Sequence, residues 1–255
     1  VTSSDNWFRP SDICVAPDGS LFVSDWYDPG VGGHGMGDIT RGRIYRLTPK
    51  GYAAYRVVPP DWSSEAGILA GLKSPNLSAR FGSWQAFRQL PEKRQEQLAR
   101  QILANEQNLI LSARLAWLLI QTPQWSNHWA LLTQKSQDVR WQMMLVRAAK
   151  DRAEKLEQAP KEVREWVEGL IRPGTPLPVL REIAIALRDE NSVYAKQLIY
   201  KLAKLYPGNE HFYLAALGIA VGPEDRTRRE TILGDFARQF PQWDERVLEL
   251  IWEWG

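Results

Sequence analysis

The hydrophobic period of the chain changes at Pro59-Pro60, and this change limits the folds that it can adopt. Before residue 60, short apolar runs are separated by turn residues, as in strands. From residue 61 onward, apolar residues follow the 3.6-residue period of amphipathic helices, interrupted by Pro, Gly and Asn. The pattern predicts an α+β protein that is mostly α, with a β domain at residues 1–60 and a helical domain at residues 61–255.

The β part contains strand patterns at residues 12–15, 21–26 and 43–47, and a weaker one at 52–58. Asp18-Gly19 lies between the first two and predicts a hairpin with a type I′ turn, whose two central residues need positive φ. Three or four antiparallel strands make one blade of a β-propeller. So small a sheet cannot be covered on both faces by itself. Either the other blades belong to a missing part of a longer protein, which we favour, or the hairpins pack against the following helices.

The helical part repeats. The tetrapeptide Leu-Ser-Ala-Arg ends at Arg80 and again at Arg114, 34 residues later, and related patterns surround Arg140 and Arg181. We expect these four arginines to occupy equivalent positions near the start of the second helix of successive pairs. Paired-helix repeats of this length predict a HEAT-like α-solenoid. An irregular helical bundle is the alternative. Later helices are predicted at residues 210–221, 223–240 and 244–254.

Composition excludes several classes of function. A net charge of +2 gives no electrostatic reason to expect a nucleic-acid partner. No run of about 18 apolar residues is present, so we expect no membrane span in this chain. The single cysteine, Cys14, allows neither an internal disulfide nor a CxxCH haem-attachment motif, and its strand position predicts a small core residue. Most of the 12 tryptophans fall within helical patterns and are interpreted as core packing.

The glycine-rich segment at residues 27–42 carries most of the candidate site. Asp28 and Asp38 are candidate ligands for a hard cation such as calcium, and His34 is a candidate general base. Around them lie the candidate cofactor-binding residues Asp25, Arg41 and Arg43; the arginines are suited to paired hydrogen bonds with carboxylates. The alternative is that these residues only shape a long loop. His128 and His211, in helical patterns, are interpreted as buried or half-buried structural residues, and residues 151–161 as a solvated helix face.

One long segment identifies a resemblance to a known family. It runs over residues 7–30, from Trp7-Phe8-Arg9-Pro10 through Ala16-Pro17-Asp18-Gly19 to Asp25-Trp26-Tyr27-Asp28-Pro29-Gly30, and continues at residues 32–38 and 41–46. Shorter echoes lie at residues 73–77, 181–188 and 212–219. The chain resembles the large multidomain proteins known as membrane-bound dehydrogenases or PVC-type haem-binding proteins.

The resemblance implies a propeller similar to soluble sugar and sorbosone dehydrogenases, followed by HEAT-like repeats and a c-type cytochrome domain. It implies oxidation of a sugar-like substrate with pyrroloquinoline quinone and calcium, and electron transfer to c-type haem. The protein would be periplasmic or secreted, with membrane association as an alternative. The chain starts at Val1 without an initiator Met and contains neither earlier blades nor a cytochrome, so we expect a fragment that is inactive alone.

On this interpretation, the remaining blades and the cytochrome domain are the partners of the fragment, and the solenoid is a spacer or docking surface between them. The alternative function is a non-catalytic scaffold that binds a partner protein on the concave face of the solenoid.

Overall fold

A computed structural model describes residues 2–27, 40–53, 58–105, 108–134, 137–222 and 224–255. Its sheet has three antiparallel strands in the order β1-β2-β3: β1 Pro10–Val15, β2 Leu21–Asp25 and β3 Arg43–Leu47. The predicted α+β, mostly α class is confirmed, as are the first three strands. Of the weaker strand pattern, residues 54–57 lie outside the described residues, and Tyr52, Ala53 and Val58 are not in a strand.

The turn between β1 and β2 differs from the predicted type. Only Gly19 has positive φ, at 83°, and it donates its N–H to Ala16 O over 2.9 Å. The ladder closes one step later, where Ala16 N donates to Ser20 O over 2.8 Å. The central residues of the observed turn are Pro17 and Asp18, neither of which has positive φ, and the fixed φ of Pro17 near −65° suits the first central position of a type I turn. The hairpin is confirmed and the type I′ assignment is wrong.

Helices follow the sheet, and no strand occurs after residue 65 in the described part of the chain. The first helix begins after Ser64, whose side chain accepts a hydrogen bond from Gly67 N as the N-cap. The helices are α1 Glu65–Lys73, α2 Leu77–Gln89, α3 Glu92–Asn105, α4 Leu109–Ile120, α5 Trp129–Thr133, α6 Val139–Ala153, α7 Lys161–Leu170, α8 Leu177–Ala186, α9 Val193–Lys204, α10 His211–Val221, α11 Arg226–Leu233, α12 Phe236–Gln239 and α13 Glu245–Trp254.

Two helix predictions need correction. The stretch at residues 223–240 is not one helix, because Gly234-Asp235 separates α11 from α12. Residues 151–161 are not a continuous solvated helix face either. Helix α6 ends at Ala153, Glu154 has a positive φ of 60°, and Leu156 is buried in a short 3₁₀ turn. A buried leucine in mid-stretch anchors this connection to the helical core.

The chain divides into two compact units, Val1–Gln95 and Glu96–Gly255. In the first unit, Asn76 joins sheet and helix: its side chain donates to Val15 O over 3.0 Å and accepts from Ala79 N as the cap of α2. The strands give way to helices at the predicted place, near residue 60, whereas the compact units divide after Gln95. A domain boundary at residue 60 stays a prediction.

In the second unit, alternate helices contact each other in the series α4, α6, α8, α10 and α13. The intervening helices contact one another as well. The rings of Trp129 in α5 and Trp166 in α7 lie 5.3 Å apart, and Lys196 in α9 donates to Thr231 O in α11 over 2.7 Å. Apolar side chains from both series are fully buried, including Leu115, Trp141, Val163, Ile183, Leu198 and Tyr213. The core of this unit therefore lies between two series of helices.

The four repeat arginines lie in α2, α4, α6 and α8, at different distances from the helix starts. Arg80 donates to Ser74 O and Pro75 O, and Arg140 pairs with Asp138 at its own helix start. Arg80 thereby reaches the C-cap of α1, and Arg181 lies 3.9 Å from Glu210 at the cap of α10. Their equivalence stays a prediction.

Candidate functional site

Asp25 is the centre of a polar cluster at one end of the sheet. It is the last residue of β2 and is 3% exposed. Its Oδ1 accepts hydrogen bonds from the backbone amides of Arg9, at 2.8 Å, and Tyr27, at 3.1 Å. Its Oδ2 lies 2.8 Å from Arg43 Nε and 2.6 Å from Arg43 Nη2. Asp25 thus joins the chain before β1, the end of β2 and the start of β3.

The environment of Asp25 favours the ionised carboxylate. Burial alone would raise its pKa, but the two backbone amides and the Arg43 guanidinium together lower the pKa below its ordinary value. Arg43 also bonds Asp5 Oδ2, at 2.9 Å, and this hydrogen bond raises the pKa of the arginine. Both groups are therefore charged at neutral pH, and they neutralise each other.

Tyr27 carries two arginines on its ring. The guanidinium carbons of Arg41 and Arg43 lie 5.5 and 5.6 Å from the ring centroid, within the range of cation–π attraction. Arg41 Nη1 also donates to the Tyr27 hydroxyl over 2.8 Å. Tyr27 has a positive φ of 42°, which is uncommon for a residue with a side chain. The hydrogen bond that its backbone N–H donates to Asp25 Oδ1 helps to hold that conformation.

The structure brings together three of the predicted site residues. Asp25, Arg41 and Arg43 share one cluster, in which Tyr27 links the two arginines and Arg43 pairs with Asp25. The predicted catalytic residue, His34, and the predicted metal ligands, Asp28 and Asp38, lie outside the described residues. Within the described ranges, no group of three or more His, Cys, Asp or Glu side chains is placed to hold a metal ion. The roles predicted for all six residues stay predictions.

The comparisons with known proteins concern the β part. A family model described as a domain of unknown function (DUF7133) matches residues 1–51. The match includes the sheet, the Asp25 cluster and the glycine-rich segment. No curated protein and no solved structure matches the chain. Within the described ranges, none of the helices is both long enough and apolar enough to span a bilayer.

The polar groups of residues 1–51 that already have partners within the chain limit which groups can bind a ligand. The carboxylate of Asp25 is saturated by four donor contacts from within the chain, so its first effect is to fix the backbone around it. Beside it, the indole of Trp26 is 57% exposed. Arg41 and Arg43 stack on the Tyr27 ring, and the charge of Arg43 is already balanced by Asp25 and Asp5.

Sequence reasoning found Asp25 and the two arginines, and it missed the roles of Tyr27, Asp5 and Arg9. Residues 41 and 43 are two apart, so they lie on the same side of an extended segment, and this spacing signals a shared ligand or ring. In the sequence, Tyr27 was noted only as the first residue of the glycine-rich segment. Asp5 and Arg9 belong to the Asp25 cluster although they lie 20 and 16 residues before Asp25, and no local sequence pattern predicts their contacts.

The predicted burial is confirmed for His128 and wrong for His211 and Cys14. His128 is fully buried, as predicted; Arg100 Nη2 lies 2.9 Å from its Nδ1 and Glu96 Oε1 lies 3.2 Å from its Nε2. His211 is exposed, so its predicted burial is wrong; it is the first residue of α10 and contacts the ring of Phe212. Cys14 is also exposed, against the prediction of a core residue, because nothing in the described chain covers its face of β1.

Two buried charged residues in the helical unit were also missed. Glu190 is 1% exposed and accepts hydrogen bonds from the amides of Leu156 and Glu157. Burial raises its pKa, although the two amides act in the other direction. Arg228 is 6% exposed and donates to backbone carbonyls, including Glu190 O. Most of their hydrogen bonds go to backbone groups, so both residues connect helix ends and turns.

Proposed function

We propose that this chain is the docking part of a cell-envelope protein similar to sugar dehydrogenases. In this proposal the sheet is one blade of a larger β-propeller, and the second unit is a HEAT-like solenoid. The remaining blades and a cytochrome domain would be its partners. The protein would be periplasmic or secreted.

The exposed face of the sheet is the observation that carries the proposal. All six residues of β1 are exposed, and so are Phe22 in β2 and Ile44 in β3, the latter at 75%. Cys14, Phe22 and Ile44 border a shallow, mostly apolar groove of about 330 Å³. Within the described ranges, β1 and β3 each pair on one side only. Covering such a face and pairing such edges with further β structure would lower the free energy of the protein.

The stacking of alternate helices supports the solenoid. In a solenoid each helix pair contacts the pairs before and after it, and the contacts from α4 to α13 follow this order. Polar bridges recur at a similar sequence distance: Arg147 bonds Glu182 over 2.6 Å, and Lys204 bonds Gln239 over 2.8 Å, each pair 35 residues apart. A regular spacing of this kind favours repeats over an irregular bundle.

The dehydrogenase part of the proposal rests on the resemblance of residues 7–46 and on the Asp25 cluster. Asp25, Arg41 and Arg43 hold the chain on both sides of residues 28–39, which carry His34, Asp28 and Asp38. In the complete protein, the arginines would bind a carboxylate-bearing quinone, Asp28 and Asp38 would bind calcium, and His34 would accept the substrate proton. The quinone supplies the two-electron oxidation, and c-type haem on a partner domain would receive the electrons.

Sugar oxidation by the full-length gene product tests this function. The protein is loaded with pyrroloquinoline quinone and calcium, and the reduction of an artificial electron acceptor is followed with a panel of aldoses. His34→Ala should lower turnover at least about tenfold, the lower range for a positioned acid–base group. His211→Ala is the matched control, because His211 is exposed on the first turn of α10.

Two outcomes would count against the proposal. Turnover unchanged by His34→Ala would remove the catalytic role of that residue. The absence of any quinone-dependent oxidation would favour the alternative, a non-catalytic scaffold that docks a partner protein.

A further inference from the structure

Helices α8, α10 and α13 share one register. Their first residues lie 34 positions apart: Leu177, His211 and Glu245. The third residue of each helix is buried: Val179, Tyr213 and Val247. Equivalent positions in the three helices therefore face equivalent directions within the series.

One side of this register faces the following helix. Gly218, the eighth residue of α10, lies so close to Glu253 of α13 that a Cβ at this position would collide with the glutamate side chain. The equivalent residue of α8, Ala184, is fully buried, and Leu180, one turn earlier, is 2% exposed. Leu214, the fourth residue of α10, is half-buried. Since α10 packs along α8 and α13 along α10, the fourth and eighth positions lie on the side that the next helix covers.

In α13, this side carries two exposed apolar side chains. Its fourth and eighth residues are Leu248 and Trp252, which are 53% and 89% exposed. In the described ranges, no other large apolar side chain is as exposed as Trp252. The opposite side of α13 is covered, because Leu250 and Trp254 are buried. Leu248 and Trp252 lie one turn apart and form an uncovered stripe, called here the 248/252 stripe.

We propose that a further helix of the full-length protein packs along the 248/252 stripe, as α13 packs along α10. The continuity of the series argues for a helix as the occupant, because at the same positions α10 is covered by a helix. An apolar stripe on that helix would remove Leu248 and Trp252 from water. The proposal rests on the solenoid proposed above and adds where its helical packing continues.

The size of Trp252 specifies the residue that it meets. It stands where α8 and α10 have alanine and glycine. Packed helices lie about 8–10 Å apart, a separation that leaves little room for an indole facing another large side chain. The incoming helix therefore carries glycine or alanine opposite Trp252.

Photocrosslinking in the full-length gene product identifies the occupant. p-Benzoylphenylalanine is incorporated in place of Trp252, the protein is irradiated, and crosslinked peptides are mapped by mass spectrometry. Residue 252 should be joined to a segment of the same molecule outside residues 1–255, whose apolar residues follow the 3.6-residue helical period. The same group in place of Val193, an exposed residue of α9, should give at least tenfold less crosslinked product.

Hydrogen exchange tests the packing without a photoreactive probe. In the full-length protein, Trp252→Glu should speed the exchange of the α13 backbone amides at least tenfold, because burying a carboxylate under the incoming helix is unfavourable. Val193→Glu is the matched control and should leave that exchange unchanged. In the isolated chain, where both side chains are exposed, neither substitution should change the circular dichroism melt.

Several results would overturn the proposal. Crosslinks only to a second copy of the chain would make the stripe a dimer contact, and crosslinks only to a segment without helical period would exclude a helix. Equal yields at residues 252 and 193, or unchanged exchange in Trp252→Glu, would mean that the stripe stays open. None of these measurements needs quinone, calcium or sugar, so a covered stripe in an inactive protein and an open stripe in an active one are separate results.

Discussion

At the scale of single residues, Asp25 shows how a candidate site residue can also be a structural one. Its carboxylate receives two backbone amides and the Arg43 guanidinium in a buried position. Removing one partner from such a cluster leaves the others unsatisfied, and each unsatisfied buried group costs about 1–3 kcal/mol. The cluster is therefore expected to govern the stability of the first unit whether or not it binds a cofactor.

Asp25→Asn should lower the free energy of unfolding by about 1–3 kcal/mol at pH 7. The loss should depend on pH. Because the folded state lowers the pKa of Asp25, its stabilising contribution is present above the unfolded pKa of about 3.9 and disappears as the pH falls through the folded value. Urea unfolding of wild type and variant at pH 7 and pH 3 measures this, and the difference between the two proteins should shrink at pH 3.

Asp12→Asn is the matched control, since Asp12 is an exposed carboxylate on β1 whose side chain bonds the neighbouring Ile13 amide. It should change stability by less than about 0.5 kcal/mol at either pH. An Asp25→Asn variant as stable as wild type at pH 7 would contradict the structural role.

Residue types and local spacing predicted the candidate site only in part. The pair Arg41 and Arg43 could be predicted because the two residues lie within two positions of the start of β3. Cys14 was misplaced, because alternation along a strand says which residues share a face but not whether that face is covered. The burial of a strand face depends on what packs against it, and the described chain leaves β1 open.

At the scale of elements, helix starts were predictable and helix interruptions were not. Ser64 and Asp138 cap α1 and α6 with their own side chains, so the signal lies within three residues of the helix start. The break at Gly234-Asp235 and the burial of Leu156 depend on contacts with elements more than 30 residues away, including the Glu190 carboxylate. A periodic pattern carries no record of such contacts.

Arg228, on α11, connects this helix to the ends of α8 and α10. Its substitution should therefore destabilise the second unit more than most other substitutions. Its guanidinium donates to Leu187 O over 2.8 Å at the end of α8, and to Ala220 O over 2.6 Å and Val221 O over 3.2 Å at the end of α10. Arg228→Ala should therefore lower the free energy of unfolding by at least about 3 kcal/mol, since several buried carbonyls lose their donor.

Arg228→Lys should also destabilise, because one ammonium group does not reproduce the planar fork of donors. Urea unfolding followed by circular dichroism measures both variants. Arg226→Ala is the control on the same helix; its exposed ion pair with Glu230 should contribute no more than about 0.5 kcal/mol. Equal stability of Arg228→Ala and Arg226→Ala would show that the buried network is dispensable.

At the scale of the whole molecule, the two units differ in how completely each buries its own apolar side chains. The second unit buries a core from both series of helices, with residues such as Leu145, Val167 and Leu217 fully buried. The sheet of the first unit buries Val23 and leaves Ile13, Val15 and Ile44 exposed. A propeller blade in isolation would have this property, because neighbouring blades cover its faces in the closed fold.

Cys14 is a built-in probe of whether that face is covered in the complete protein. It is the only cysteine of the chain, it is exposed, and it borders the groove with Phe22 and Ile44. If neighbouring blades pack on this face, a maleimide should label Cys14 at least tenfold more slowly in the full-length gene product than in the isolated chain. A cysteine placed by Glu162→Cys in a Cys14→Ser background should react at the same rate in both, because residue 162 is exposed on α7. Equal labelling of Cys14 in the two proteins would mean that the face stays open. The sheet would then have to be explained as a free docking surface rather than as a blade.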